Sequence, residues 1–391
     1  MKKSYQFRIY PNKNQEVKFI RTLDTCRHLY NDSLAERKRQ AELNKLKKEF
    51  DLFPWGKTEW IYKYDQMLDL TATKTPYQKE VFSQVLQDVI KRVDKSFKNF
   101  FNGFGYPRFQ GRNRYNSFTY PQMGFSIEYG KLNLSKIGNI KIIRHREIEG
   151  HIKTCTIRKD IDQWYVSLSC EIEKPIIPVE TKTEIGIDLG LSSLITMSNG
   201  RKIEPPEYLR KKGDKLTQEQ KRLSRKKKGS CNRNDQRTIV AKVHRKIRNQ
   251  RTDFAHKTSR KLVDTYDRIV FEDLQVKNMM QNHHLAKSIS DAGWYQLMIL
   301  TKSKAECAGK VVELVNARNT STNCSGCDNS VPKNLSERVH SCPFCGLVLD
   351  RDHNAAINIL KRSISTVGTT GINARQGLLN RGSMQRDAQS P

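Results

Sequence analysis

Ile185-Gly186-Ile187-Asp188-Leu189-Gly190 is the stretch on which the fold turns. Strand alternation places Ile185, Ile187 and Leu189 on one face and Asp188 on the other. The glycines on either side of the aspartate leave the backbone open to a bulky anionic substrate. Ile269-Val270-Phe271-Glu272-Asp273 follows the same plan, a buried strand closed by a carboxylate. A third acid, Asp352, begins a helix after Asp350-Arg351, and Ala355, Ala356, Ile359 and Leu360 form that helix's apolar face. Each acid has a plain structural use: Asp188 as a turn cap, Glu272 as an ordinary strand end, Asp352 as a helix N-cap. As a set on two strands and a helix start, Asp188, Glu272 and Asp352 have the composition of a two-metal phosphodiester hydrolase. Carboxylate oxygens suit Mg²⁺ or Mn²⁺. Two such ions about 3.5–4 Å apart stabilise both the attacking and the leaving oxygen of an in-line displacement.

The rest of the chain is suited to a polyanionic partner. Lys and Arg total 71 against 41 Asp and Glu over 391 residues, a formal net charge of +30. Such a surplus attracts polyanions, which sets nucleic acid ahead of an anionic membrane and argues against a small-molecule metabolic enzyme. Hydrophobic residues at 36% are enough to build cores, so the composition is not that of a disordered chain. No stretch approaches the roughly 18 apolar residues of a membrane span. The opening Met1-Lys2-Lys3-Ser4-Tyr5-Gln6-Phe7-Arg8 lacks a signal peptide's apolar run, so a cytoplasmic protein with no membrane partner is expected.

Residues 201–260 carry 21 Lys or Arg against 6 acids, half of the whole-chain surplus. A merely solvated helix would balance its bases with acids four residues away, and here those acids are scarce. Phosphate-backbone binding is therefore expected of Arg225, Lys226, Lys227, Arg245 and Arg248. Aromatic and basic residues interleave in Tyr106-Pro107-Arg108-Phe109-Gln110-Gly111-Arg112, which adds Arg108 and Arg112 to the nucleic-acid candidates. Nine cysteines include two tight pairs, Cys324-x-x-Cys327 and Cys342-x-x-Cys345. In a reducing compartment that spacing offers four thiolates to a structural Zn²⁺ with no open position for catalysis.

In chain order, residues 3–10 read as a strand ended by Pro11. A first helix follows, with Val17, Ile20, Leu23, Tyr30 and Leu34 as its stripe, and a second lies at about 79–101. On the second, Ser83, Gln84 and Gln87 form an almost uncharged polar patch flanked by Lys79 and Lys91. An ordinary solvated face is the plain reading; the alternative is a DNA reader, since Gln can bond adenine N6 and N7 together. Residues 117–173 read as a compact antiparallel β unit with turns at Tyr129-Gly130 and Gly138-Asn139. Beyond 183 the grammar is mixed α and β, with a hairpin at Asn199-Gly200 and a strand at Val311–Val315.

At these residues the chain resembles TnpB, the family of RNA-guided nucleases encoded by insertion-sequence transposons and related to type V CRISPR effectors. Tyr5-Gln6-Phe7-Arg8-Ile9-Tyr10-Pro11 is similar to the family's opening strand, and Tyr106-Pro107-Arg108-Phe109 to its connecting motif. Gly186-Ile187-Asp188-Leu189-Gly190 resembles the first RuvC motif. Phe271-Glu272-Asp273-Leu274 with Asp291-Ala292-Gly293-Trp294 resembles the second. Cys342-Pro343-Phe344-Cys345-Gly346 leading to Asp350-Arg351-Asp352-His353-Asn354 resembles the zinc ribbon running into the third. Two departures, Asp328-Asn329 where glycine often follows the first knuckle and Cys231 where lysine is common, touch no expected ligand.

The resemblance implies a multidomain α/β protein. Its parts would be an RNase-H-like RuvC domain (183–318 and 347–363) with an inserted zinc ribbon (319–346), a β-barrel wedge domain (1–11 and 118–182) interrupted by a helical recognition domain (12–117), and a flexible tail (364–391). It implies that Asp188, Glu272 and Asp352 hold the nuclease metals. The implied partners are a guide RNA from the transposon end and double-stranded target DNA with its displaced single strand, cut beside a short adjacent motif. The alternative function is a non-cleaving RNA- or DNA-binding regulator of transposition.

Overall fold

β1 (Lys2–Tyr10) turns Tyr5, Phe7 and Ile9 inward and its other side chains outward, as period-two strand sequence requires. The computed structural model describes residues 2–50, 58–112, 114–173, 177–206, 208–334 and 337–370, and divides the chain into two units, Met1–Lys174 and Pro175–Pro391. In the first unit β1 leads to α1 (Lys13–Glu49), α2 (Lys63–Thr73), α3 (Pro76–Lys79) and α4 (Ser83–Phe101). Six strands follow: β2 (Ser117–Tyr120), β3 (Phe125–Glu128), β4 (Lys131–Leu134), β5 (Gly138–Ile143), β6 (His151–Asp160) and β7 (Gln163–Glu171). They join β1 in one antiparallel sheet of order β2-β6-β7-β1-β5-β4-β3. Among the described residues the ladder does not close into the expected β-barrel: β2 and β3 are its edges, and Pro121, directly after β2, has no N–H to extend the pairing.

α1 starts on a reciprocal cap, in which the Gln15 N–H donates to the Asn12 side chain at 2.8 Å and the Asn12 N–H to the Gln15 side chain at 3.0 Å. Its buried stripe is Phe19, Leu23, Cys26, Tyr30 and Leu34. Val17 and Ile20, expected on that stripe, are exposed; the sheet reaches the helix along the line through Phe19, which packs on Phe118 and Trp164. The second helix, expected at about 79–101, is α4, which begins at Ser83 because the short α3 before it ends at Lys79. Arg92 of α4 donates to the Ser117 carbonyl at 2.8 Å and to the Thr119 hydroxyl at 2.7 Å, tying helix to sheet. The helices expected as a separate recognition domain thus share one hydrophobic cluster with the strands. The expected Tyr129-Gly130 turn joins β3 to β4 with φ values of 47° and 71°.

Residues 177–183 belong with the second unit, so the division falls earlier than the expected 182/183. The Val179 N–H donates to the Gly309 carbonyl, and the Asp267 carboxylate accepts from the Lys182 and Thr183 N–H groups. The unit runs β8 (Glu184–Asp188), β9 (Ile195–Met197), β10 (Lys202–Ile203), α5 (Tyr208–Lys211), α6 (Gly213–Ser224), α7 (Cys231–Thr265), β11 (Arg268–Glu272), α8 (Val276–Met279), α9 (His283–Ala292), α10 (Trp294–Cys307), β12 (Val311–Val315), β13 (Val339–Ser341), β14 (Val348–Asp350) and α11 (Arg351–Thr370). Its sheet has the order β10-β9-β8-β11-β12, with β8, β11 and β12 parallel and β9–β10 the expected hairpin. The backbone of α11 runs to Thr370, into the stretch expected as a flexible tail; the rest of that tail lies outside the described residues. Among the described residues no helix is long and apolar enough to cross a membrane.

Two apolar layers hold the sheet. On one face Ile185, Ile187, Ile269 and Phe271 pack with Leu262, Trp294 and Leu297 from the helices. On the other, Val270 and Val315 meet Ile359 and Leu360 of α11. Gly186 faces α11, and a Cβ there would lie 2.2 Å from the Ala356 carbonyl oxygen and 2.8 Å from the Leu360 nitrogen. The glycine expected to admit substrate instead admits a helix, because backbone atoms occupy the space. Gly186→Ala should therefore cost the second unit at least about 2 kcal/mol. Gly213→Ala, with nothing within 4 Å of the new methyl, should change stability by about 1 kcal/mol at most. Chemical denaturation of the two variants beside wild type checks the contrast; equal midpoints would mean that α11 is free to shift.

Candidate active site and metal centre

Asp188 and Glu272 end neighbouring parallel strands whose register sets Ile187 opposite Phe271. Both acids therefore emerge at the carboxyl end of the sheet, where open α/β sheets bind ligands. Alternation puts each on the side that faces α11, and α11 brings Asp352 in its first turn. Asp350 starts that helix: its Oδ1 accepts from the Asp352 N–H at 3.0 Å and the His353 N–H at 3.1 Å, while Lys202 pairs with it at 2.9 Å. The capping role weighed for Asp352 thus falls to Asp350, and the Asp352 carboxylate is left for the site, 3.9 Å from the Arg338 guanidinium.

Asp188 feels both of the other acids. Burial, then the charges of Glu272 and Asp352, push Asp188 up to about 8. Its carboxylate keeps partial contact with solvent although protein surrounds it on most sides. Burial also raises Glu272, against the bond it accepts from the Thr320 hydroxyl at 2.7 Å and the nearby charge of Arg362. Asp188 is thus within electrostatic reach of both Glu272 and Asp352, while among the described residues the group whose ligand atoms gather closely enough to hold a metal ion is the four cysteines. Gly190, the second glycine expected to open the backbone, has the Ser193 carbonyl 2.8 Å from where a Cβ would sit.

Cys324, Cys327, Cys342 and Cys345 place their sulfurs within 4.8 Å of one another, with Cys324–Cys345 and Cys327–Cys342 at 3.5 Å. Tetrahedral zinc with bonds of about 2.3 Å sets sulfurs about 3.8 Å apart, so the donor set fits that ion. Each knuckle closes on a residue in the left-handed region, Asp328 at φ 60° and Gly346 at φ 72°. The departure from glycine at 328 is tolerable because aspartate is among the few residues that adopt this conformation readily. Burial opposes ionisation of Cys342, but backbone N–H groups of Cys345 and Phe344 donate to its sulfur and bring it down to about 6. Cys345, although a backbone N–H of Leu347 favours its thiolate, is pushed up to about 12 by burial and the neighbouring sulfurs, so the four share protons that a metal ion would displace.

The nucleic-acid candidates are less uniform. Arg225, Lys226 and Lys227 lie on the turn between α6 and α7, where Arg233 donates to the Leu223 and Lys226 carbonyls and fixes the loop. Lys226 turns back to donate to the Asn232 carbonyl, while Arg225 and Lys227 are exposed. On α7, Arg248 is exposed and Arg245 half-buried. In the first unit Arg108 and Arg112 are exposed, and Lys38 sits 4.6 Å from the centre of the neighbouring Phe109 ring. Ser83 accepts from Lys74, Gln84 accepts from the Met123 N–H at 3.2 Å, and Gln87 is half-buried. Sequence reasoning missed Asp350, Thr320 and the Asn354/Asn358 pair, which act through contacts across the chain; only Asp350 leaves a local signal, an acid two residues ahead of a helical N–H.

Comparison with known proteins agrees with this anatomy. A family model described as a probable transposase, OrfB of IS605, matches residues 167–283. A Cas12f1-like TNB domain matches 294–359, which holds the four cysteines, and a helix-turn-helix domain matches 1–45. Over the last of these the structure has β1 and a single unbroken α1. A Streptomyces pristinaespiralis protein named as an RNA-guided DNA endonuclease is 33% identical over 378 residues, 93% of this chain and 90% of the relative. Escherichia coli (strain K12) InsQ, similarly named, is 31% identical over 91% of each chain. A TnpB-like protein of Acanthamoeba polyphaga mimivirus is 28% identical over 54% of this chain and 43% of its own length. The chain belongs to the TnpB family.

Two expectations follow from the geometry. In the metal-free protein Asp188 holds its proton up to about 8 when folded but only through the ordinary carboxylate range when unfolded, so stability falls as pH rises between those values. Asp188→Asn removes the dependence and should melt well above wild type near about pH 9, by about 10 degrees, with the gap closing towards about pH 4. Thermal melts at the two pH values in chelator check the sign. The cysteine cluster should hold one zinc ion per chain by elemental analysis, and Cys324→Ser should lose both the ion and folding of residues 319–350, because metal-binding free energy is folding free energy in such modules.

Proposed function

We propose that the chain is an RNA-guided DNA endonuclease of an insertion-sequence transposon, cutting target DNA beside a short adjacent motif by metal-dependent phosphodiester hydrolysis. What supports this reading is that the charges of Glu272 and Asp352 reach Asp188 and, with burial, raise it to about 8, in a chain of net charge +30. A carboxylate raised by burial and by two other acids is a candidate functional group, and bound cations would relieve the repulsion. The donors are carboxylate oxygens, which fit Mg²⁺ or Mn²⁺. Two such ions, when bound, supply charge neutralisation at the phosphate and an activated water.

The chain's own residues do the positioning. Asp188 feels the charges of the other two acids, Glu272 is oriented by the Thr320 hydroxyl, and Asp352 is fixed by the helix start that Asp350 caps. In this reading the second unit is the RuvC nuclease with its zinc ribbon at 319–346, and the first unit combines wedge and recognition functions. Arg225, Lys227, Arg245 and Arg248 would hold phosphates of the guide RNA or of the heteroduplex. Ser83, Gln84 and Gln87, with Arg108 and Arg112 nearby in sequence, would read or hold the DNA duplex before its strands part. Work on such partners places the protein in the cytoplasm, on the nucleoid.

The names of the relatives favour this function over a non-cleaving regulator of transposition. Asp188→Ala, Glu272→Ala and Asp352→Ala should each lower plasmid cleavage by about a hundredfold or more while guide RNA binding stays within about twofold, since each removes a metal ligand and no phosphate contact. Cleavage with guide RNA in Mg²⁺ and filter binding of labelled RNA measure the two quantities. Undiminished cutting by all three variants would remove the site, and absence of cutting by wild type with intact RNA binding would favour the regulator.

A further inference from the structure

Two of the three acids sit on different elements, Glu272 on β11 and Asp352 on α11, and one stretch of chain fastens both. Residues 316–325 run from the end of β12 to the first zinc knuckle. Thr320, 3% exposed, donates from its hydroxyl to Glu272 Oε1 at 2.7 Å, with the Ala317 carbonyl at 3.1 Å as the alternative acceptor. The same stretch is buttoned to α11. Asn358 donates to the Thr320 carbonyl at 2.9 Å and the Asn323 carbonyl at 2.7 Å, and Asn354 both donates to Asn323 and accepts from the Ser325 N–H at 2.8 Å. Asn354 and Asn358 are buried and lie on the helix that carries Asp352. Ser325 directly follows the first zinc ligand.

We propose that Thr320 is the positioning residue for Glu272, and that the zinc module, by holding residues 320–325 against α11, sets the divalent-ion affinity of the carboxylate site. A carboxylate has two oxygens and several rotamers. One charge-assisted hydrogen bond from a buried hydroxyl fixes which oxygen is committed and leaves the other directed at a cation. The hydroxyl can do this only if its backbone stays in place, and that backbone is anchored on one side by Asn358 and on the other by the knuckle. Without zinc the knuckle loses its closure, residues 320–325 loosen, and the Thr320 proton turns to Ala317 instead. The inference rests on the reading that Asp188, Glu272 and Asp352 hold divalent ions.

The test uses the full-length chain freed of RNA and reads Mn²⁺ binding by the loss of the free-ion EPR signal, with zinc content measured in each sample. Thr320→Val keeps the shape and deletes the donor, and it should weaken Mn²⁺ binding about tenfold with zinc still at one per chain, whereas Thr320→Ser should stay within about twofold of wild type. Cys327→Ser should weaken Mn²⁺ binding in the wild-type background but add little in the Thr320→Val background, because the two changes act through one contact. With guide RNA restored, Thr320→Val should raise the Mg²⁺ needed for half-maximal cleavage and leave the rate at saturating Mg²⁺ near wild type. Mn²⁺ affinity equal to wild type in Thr320→Val overturns the proposal. Should Thr320→Val lose its zinc, unchanged affinity in Cys327→Ser overturns it instead, and a weakened Cys327→Ser beside an intact Thr320→Ser upholds it. Asp188→Ala is the separate control: if it binds Mn²⁺ as wild type does, the site reading fails, whatever Thr320 does.

Discussion

The backbone of α11 rests directly on the backbone of β8, and the placement of the candidate carboxylates depends on that contact. A methyl at residue 186 would overlap the Ala356 carbonyl, so the approach exists only where no side chain intervenes. Close approach lets Ile359 and Leu360 reach Val270 and Val315, and this small apolar layer holds the helix on the sheet. It also brings the first turn of α11 to the carboxyl ends of β8 and β11. Packing and chemistry are therefore one constraint: the glycine that seats the helix is two residues from the aspartate that the helix confronts.

Around this contact the fold stabilises a cluster that Coulomb repulsion opposes. The apolar layers on both faces of the sheet supply the favourable term. Thr320 pairs with Glu272, Asp350 holds the helix start, and Arg268 bridges Glu184 and Glu313 at 3.1 and 2.9 Å. The last of these lies at the opposite end of the strands and binds β8, β11 and β12 into register without adding charge at the site. Strain from the acids is thereby confined to side chains, and the sheet beneath them is conventional.

How much of this was legible in the sequence depended on how local each cause is. Tyr129-Gly130 and Asn199-Gly200 were readable as turns because the left-handed conformation leaves its mark on the residues themselves. The strands at Asp188 and Glu272 were readable by alternation, and the cysteine pairs by spacing. Val17 and Ile20 misled because apolar spacing in a long helix does not say which line the sheet will touch, and Phe19 decided it. Gly186 was read as room for substrate because a sequence cannot tell which backbone will fill the room. Thr320 escaped notice altogether: its partner stands at position 272 and its anchor at 358, and no periodicity joins the three.

The order of the carboxylates along the chain has a consequence for synthesis. The first unit is complete once β7 has paired with β1, and nothing in it waits on residues beyond 174. The second unit has its sheet by β12 but lacks Asp352 until α11 has been made. On a ribosome that adds roughly 5–20 residues per second, domains fold in the order they emerge. A nascent chain therefore displays its basic residues at 201–260 for several seconds before it owns all three acids. The apolar layer that Ile359 and Leu360 complete is likewise the last part of the second unit to be made.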